Sequence, residues 1–179
     1  MFIGSKAYIA PSFIIKAADA PWEHQGVIEL RRQVFCEEQK LFIDHDRDEI
    51  DKIAIPLAAI STSAGMQDQV VGTVRIHNQK DNIWWGSRLA VDQTHRRVGH
   101  LGAELIRLAV TTAHGMGCDH FYAHVQHQNE NLFKRLHWEH LDELDIHGQK
   151  HILMEADLDY YPAFSSPYQG WQTMRKARL

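Results

Sequence analysis

The stretch Ser87-Arg88-Leu89-Ala90-Val91-Asp92-Gln93-Thr94-His95-Arg96-Arg97-Val98-Gly99-His100-Leu101-Gly102-Ala103-Glu104-Leu105-Ile106 decides the fold. Its first part closes a run from Ile83 to Val91 that reads as a strand. From Leu101 onward, Leu105, Leu108, Ala109, Thr112, Ala113 and Met116 form one stripe of a helix, which Gly115 or Gly117 can stop. A polar loop of arginines and glycines joins the two. The first turn of a helix has unpaired N–H groups and a positive dipole end, so this junction is a ready anion site. Glycine lets a backbone approach a phosphate closely, and such a loop suits a pyrophosphate. Alone, the glycine pattern is weak, because a strand–turn–helix with solvated arginines reads the same way.

Upstream, Tyr8 to Lys16 reads as a first strand, rich in β-branched and aromatic residues. Asp19 and Pro21 start a helix, in which Val27, Leu30 and Val34 recur at helical spacing with Ile28 and Phe35 beside them, ending near Gln39. The acidic stretch from Asp44 to Asp51 is a loop or short helix. Ile53 to Ile60 is a buried strand, with Pro56 placing it at an edge or a bulge. Gln69 to His77 alternates, and Lys80-Asp81-Asn82 turns it into the strand 83–91 as a hairpin. Downstream come a strand Phe121–Gln126, a short helix Asn129–Leu136, and two strands, Leu141–Ile146 and His151–Ala156, joined at Gly148. The aromatic tail from Tyr160 reads as a covering loop. The order predicts one domain over 1–179, an α/β (mixed α+β) three-layer fold with a central mixed sheet of about six to seven strands and helices on both faces.

The 179 residues suit one domain with a real core, and 44% hydrophobic with 23% charged residues place the chain among soluble globular proteins. A formal charge of −4 argues against a nucleic-acid binder, despite the short basic end Arg175-Lys176-Ala177-Arg178. No stretch is apolar for long enough to span a bilayer, and no signal-peptide pattern opens the chain, so no membrane association is expected. Cys36 and Cys118 have no metal-type spacing, which makes a cytoplasmic location with reduced thiols the default. There are 13 histidines but no His-Glu-x-x-His, and the acidic run lacks a calcium-loop spacing, so no metal is expected.

The central unit resembles the GNAT (N-acetyltransferase) superfamily, whose signature Arg/Gln-x-x-Gly-x-Gly/Ala follows a strand reading Leu-x-Val. Counting from Leu89-Ala90-Val91 gives Arg96-x-x-Gly99-x-Leu101. Counting back from Leu105-Ile106 gives Arg97-x-x-His100-x-Gly102. One inserted loop residue reconciles them, and the second register keeps Gly102 where the helix begins. The resemblance implies acetyl-CoA or another acyl-CoA as donor, held by Leu89, Ala90, Val91, Arg96, Arg97, Val98, Gly99, His100, Leu101, Gly102 and Ala103, with Asn129, Asn131 and Phe133 beyond. Asn129 and Asn131 lead into Phe133-Lys134-Arg135-Leu136-His137-Trp138, similar to the family's Asn before Tyr-x-x-x-Gly-Phe. Phe133 takes the tyrosine place. In many relatives that tyrosine protonates the leaving thiolate, which phenylalanine cannot do. Arg31-x-x-Val34-Phe35-x-x-Glu38-Gln39 with Asp48-Glu49-x-Asp51 resembles the acceptor-side helix of several bacterial members. More loosely, Trp84–Val91, Val125–Trp138 and Leu153–Leu158 with Tyr161-Pro162 are similar to the acyltransferase-like family of bacterial nitrilase gene clusters.

The implied reaction is direct attack of a small-molecule amine on the thioester. An amine of pKa about 10.4 is only about one part in a thousand neutral near pH 7, a penalty of roughly 4 kcal/mol, so a base helps. Backbone N–H groups from Leu89 to Val91 can polarise the thioester carbonyl. Two strand positions that carry a base in some relatives hold Trp85 and Ser87. The candidates are therefore Glu38, His77 and His124, with Tyr122 as the alternative acid. A structural role is open for each, and Cys36 reads better as a small buried hydrophobe than as a nucleophile. A catalytically silent acyl-CoA sensor or scaffold is the second reading, favoured by Phe133 and the missing strand base. A transferase fed by a carrier protein would need a basic docking surface, which the composition does not supply. Strand edges and the aromatic tail are compatible with a homodimer.

Overall fold

The computed structural model describes residues 8–98 and 100–175. The strands are β1 (Ser12–Ala17), β2 (Ile55–Ser63), β3 (Met66–Lys80), β4 (Ile83–Val91), β5 (His120–Gln126), β6 (Trp138–Ile146), β7 (Gln149–Ala156) and β8 (Trp171–Met174). The helices are α1 (Pro21–Arg31), α2 (Leu101–Gly115) and α3 (Glu130–Arg135). One eight-stranded sheet runs β6-β7-β5-β4-β3-β2-β1-β8. All neighbours are antiparallel except β4 and β5, the pair that α2 connects as a crossover.

Local chemistry sets the boundaries. The β3–β4 hairpin turns through Asp81 and Asn82, at φ 51° and 59°, the left-handed pair that a two-residue turn matched to strand twist requires. Helix α1 starts at Pro21, but Asp19 is not its cap. Glu23 reaches back instead, accepting from the Asp19 and Ala20 amides at 2.6 and 3.2 Å and pairing with Lys16 at 2.8 Å. Past Arg31 the helix continues as a π-helical segment, Arg32–Glu38, so the expected end near Gln39 holds with a change of pitch. Ile28, expected beside the apolar stripe, is exposed, whereas Val27, Leu30, Val34 and Phe35 are buried. Pro56 sits in neither an edge strand nor a bulge. It is the second residue of interior strand β2, where β1 has already ended, and its carbonyl accepts from Ala18 N at 2.9 Å.

The main core fills the α2 face: Phe13, Ile15, Leu57, Ile76, Leu105, Leu108, Phe121, Ile152 and Met154 are essentially inaccessible. Smaller clusters under α1 gather Val27, Ala58 and Ile60, and Leu30, Val34, Phe35 and Ala90. The tail departs from the expected loop, because its end adds β8 beside β1. Gly170 makes this possible. Its φ is +59°, and a Cβ there would lie 1.8 Å from Ile15 O. Phe164 N donates to Thr111 O at 3.0 Å, and the Trp171 indole donates to Glu104 of α2 at 2.6 Å. Among the described residues no helix is long and apolar enough to cross a membrane.

Candidate active site

β4 and β5 pair only from Ile83↔His120 to Gly86↔Ala123. Beyond that point, Ser87–Val91 have no partner on the β5 side, and the sheet opens into a wedge. β4 is bulged at the same place: Ser87 pairs with Arg75 and Ala90 with Thr73, leaving Arg88 and Leu89 without partners. Arg88 adopts φ 57°, a left-handed conformation that costs an L-residue about 1–2 kcal/mol. The extra residue sends Arg88 toward the α1 face and Leu89 into the main core.

A charge network holds this bulge. Asp46, only 2% exposed, accepts from Arg31 Nε at 2.7 Å and from Arg88 Nε at 2.9 Å, and its carbonyl accepts from Arg88 Nη2 at 3.0 Å. Asp51 takes Arg31 at 2.7 Å and Arg75 at 2.9 Å; Asp48 takes Arg75 at 2.7 Å and Arg88 at 3.4 Å. Three carboxylates thus meet three arginines, a local balance that low-dielectric burial demands. The Arg31 and Arg75 hydrogen bonds hold the Asp51 carboxyl far below its ordinary range against the opposing effect of burial, and Arg75 does the same for Asp48. Within the acidic run Asp46 is buried and Asp51 half-buried, while Asp44, Asp48 and Glu49 are exposed. Arg31, Asp48 and Asp51 belong to the motif that resembles the acceptor-side helix, whereas nothing in the sequence spacing marks Arg75 and Arg88 as their partners. The Arg88 guanidinium also lies 4.7 Å from the Phe42 ring, which meets His147 at 5.4 Å edge-on. Gln39 accepts from Gln126 Nε2 at 3.0 Å. The segment after the π-helical turn thus straps across the wedge.

The loop from Asp92 to His100 is braced from within. Asp92 accepts from Thr94 N at 3.2 Å and lies 2.8 Å from Nδ1 of buried His95, which meets Phe13 edge-on. Arg96 Nε donates to Val91 O at 3.0 Å, while its Nη2 binds both oxygens of Glu38 at 2.6 and 2.9 Å. Glu38 is thereby tied to the loop and stands as an ion-pair partner. Arg97 is exposed, Val98 packs against the main core, and Gly99 lies outside the described residues. His100 caps α2 at φ 50°, and its carbonyl accepts from Glu104 N, so the amides of Leu101, Gly102 and Ala103 precede the helix's own acceptors. A Cβ on Gly102 would meet nothing within 4 Å, which leaves bare backbone beside open space in the first turn.

The other candidates separate by face. Phe121, Ala123 and Val125 face the core, while Tyr122, His124 and Gln126 face the α1 side. Trp85 lies against Tyr122 at 5.4 Å and His124 at 4.9 Å, and pairs across the ladder with His77. His77, His124 and Tyr122 are thus brought together around Trp85, and His124 is the first β5 residue past the last pair. His77 is buried, with Nδ1 lacking a partner among the described atoms; burial and the neighbouring Arg75 charge hold it below its ordinary value. His124 is exposed at the strand surface, and partial desolvation, then the His151 charge, lowers its pKa from the ordinary value. Desolvation and Glu155 push the Tyr122 phenol up, keeping it protonated. Phe133 is buried against Trp138 at 5.0 Å, Asn129 is half-buried and Asn131 exposed. Cys36 is half-buried, not buried, and burial with Asp46 nearby raises its thiol above the ordinary value, which disfavours a nucleophile; burial pushes the Cys118 thiol up to about 11. Among the described residues no group of three or more metal-ligating side chains assembles.

The acetyltransferase (GNAT) family model matches residues 22–138. Solved structures share the fold: a Lactobacillus plantarum protein inferred to be an N-acetyltransferase (20% identity, TM-score 0.70, 84% of this chain and 99% of that one) and an acyl-CoA N-acyltransferase from Pseudomonas aeruginosa (18%, 0.64, 81% and 99%). An aminoglycoside 6′-N-acetyltransferase solved with coenzyme A also aligns (16%, 0.64, 81% and 97%). No curated protein matches the chain in sequence. The site fits an acyl-CoA: the bare Gly102 backbone and first-turn amides suit a diphosphate, and the β4–β5 wedge offers unpaired backbone to an extended thioester arm.

Proposed function

Because the chain belongs to the acetyltransferase (GNAT) family, whose members bind acetyl-CoA or coenzyme A, we propose that it is an N-acyltransferase acting on the amine of a small molecule by direct attack. The observation that carries this reading is the alignment of three features: the β4–β5 wedge, the bulge at Arg88–Leu89, and the α2 first turn with Gly102. Bound acyl-CoA supplies an acyl carbonyl activated by its thioester. The amides of Leu101, Gly102 and Ala103 hold the diphosphate, with Arg97 exposed beside them and Arg96 bracing the loop through Val91 O and Glu38. In this reading, backbone N–H groups of the stretch Leu89–Val91, which β5 leaves unpaired, polarise the carbonyl oxygen. His124, neutral at pH 7 and placed at the wedge mouth, takes the proton of the attacking amine. Tyr122 supplies the proton that the family's tyrosine gives elsewhere, and His77 is the base in reserve.

A second reading, a silent acyl-CoA-binding module, is favoured by one observation: Phe133, buried where the family's tyrosine stands. Incubation with acetyl-CoA and a pooled amine library, read as free thiol, separates the two. Release that depends on an acceptor supports transfer. Binding of coenzyme A with no release under any amine supports the silent module.

A further inference from the structure

Beyond the strands that α1 covers, four rings lie side by side on its face of the sheet. Trp85 neighbours Tyr122 at 5.4 Å and His124 at 4.9 Å, and His120 stacks on Tyr122 at 5.9 Å with 4° between planes. Trp85 and Tyr122 are half-buried, and the Trp85 indole donates to Gln79 Oε1 at 2.8 Å, which fixes its ring. The row ends at His124, where the wedge opens. Trp85 is tilted by 44° to Tyr122 and 50° to His124, so the rings form a faceted aromatic surface that leads to the reacting centre, matched by an aromatic substrate part that packs against ring faces and edges.

The charges beside this shelf are one-sided. Each nearby arginine is matched: Arg31 by Asp46 and Asp51, Arg75 by Asp48 and Asp51, Arg88 by Asp46 and Asp48. On the far side Glu155 stands across from Tyr122 and, on its other flank, from Glu139, two like charges directly opposite. Glu155 lies 2.6 Å from His120 Nδ1. Among the described residues the shelf offers an acceptor's carboxylate no unmatched arginine, while its rings and carboxylates favour a cation.

We infer that the acceptor is an aryl-alkyl amine without a carboxylate, its ring packed against Trp85 and Tyr122 and its nitrogen beside His124. This rests on the acyltransferase reading above. As the new N–C bond forms, the C–S bond of the thioester breaks; an amine proton passes to a ring nitrogen of His124, the departing thiolate takes the Tyr122 proton, and the proton on His124 then returns to the Tyr122 phenolate through solvent, restoring both side chains. The products are an amide and free thiol.

Binding measured by saturation-transfer NMR on the full chain, with and without saturating coenzyme A, tests it using tryptamine, tryptophan and spermidine. Tryptophan adds only the carboxylate, and spermidine removes the ring. Tryptamine is expected to bind at least about tenfold more tightly than either, a difference of ~1.4 kcal/mol. Trp85→Ala removes that preference without changing coenzyme A affinity, and Trp85→Phe largely restores it. Preference for tryptophan or for spermidine, or tryptamine binding indifferent to Trp85→Ala, overturns the inference. Failure of the acyl-CoA reading shows separately, as absence of coenzyme A binding.

Discussion

At the level of single residues, two protons fall to two side chains on one strand, His124 and Tyr122. His124→Gln removes the base without emptying its space, and kcat is expected to fall by about 10²–10⁴-fold with coenzyme A affinity unchanged. Because desolvation lowers the His124 pKa, its neutral form dominates from below pH 6.5 upward. The acid limb of kcat/KM therefore lies below pH 6.5, with the rate rising as pH rises through it, and His124→Gln abolishes that limb while His77→Gln leaves it. A profile indifferent to His124→Gln removes His124 from the mechanism. Tyr122→Phe is expected to lower kcat more for donors with poor leaving thiolates, since the phenol acts on departure. Phe133 and Trp85 were legible in the sequence as departures from the family pattern. That His124, Tyr122 and His77 share one face around Trp85 was not, because that depends on the register of β3, β4 and β5.

At the scale of elements, the bulge of β4 is a strained device held from outside. Asp46→Asn leaves Arg31 and Arg88 short of a partner and is expected to cost about 3 kcal/mol of stability, measured by urea unfolding. Arg88→Ala and Arg88→Gly both delete the ion pair, but only glycine keeps φ near +57° without strain. We expect kcat of Arg88→Gly to exceed that of Arg88→Ala by about 5- to 30-fold, the rate equivalent of the 1–2 kcal/mol of left-handed strain. Equal kcat in the two variants contradicts a role for the bulge. Asp51 gives the linkage test. Its folded pKa is depressed, so its contribution is fully present above the unfolded value of about 3.9 and is lost as pH falls through the folded one. The stability gap between wild type and Asp51→Asn is therefore expected to stay flat from pH 7 to about pH 5 and to narrow below about pH 4.

The hairpin at Asp81-Asn82, strand 83–91 and the long helix were readable because turn chemistry and periodicity agreed there. The Arg88 bulge was hidden, since arginine has no preference for positive φ and the alternation of β4 survives only by skipping a residue. The acidic run misled for a related reason. Nothing in the run separates buried Asp46 and half-buried Asp51 from exposed Asp48 until α1, β3 and β4 bring Arg31, Arg75 and Arg88 to all three.

At the scale of the whole molecule, the tail adds β8 beside β1 and ties this edge of the sheet to α2 through Trp171 and Glu104. The four residues of β8, preceded by Pro167 and Gly170, were too short and too broken by turn residues to read as a strand. Gly170→Ala must move Ile15 O, so it is expected to undock β8 and lower the melting temperature by several degrees. Because Trp171 also binds Glu104 at 2.6 Å and lies over Arg107 at 4.7 Å, the same substitution frees the first turns of α2. The central claim is that this helix start receives the donor's diphosphate. Isothermal titration of coenzyme A into wild type and Gly102→Val tests it directly, because a Cβ at 102 meets no protein atom within 4 Å, so the added bulk lies beside the first-turn amides. Wild type is expected to give a clear binding isotherm, and a fully folded Gly102→Val at least about tenfold weaker affinity. No binding by wild type, or equal affinity in the two proteins, contradicts it.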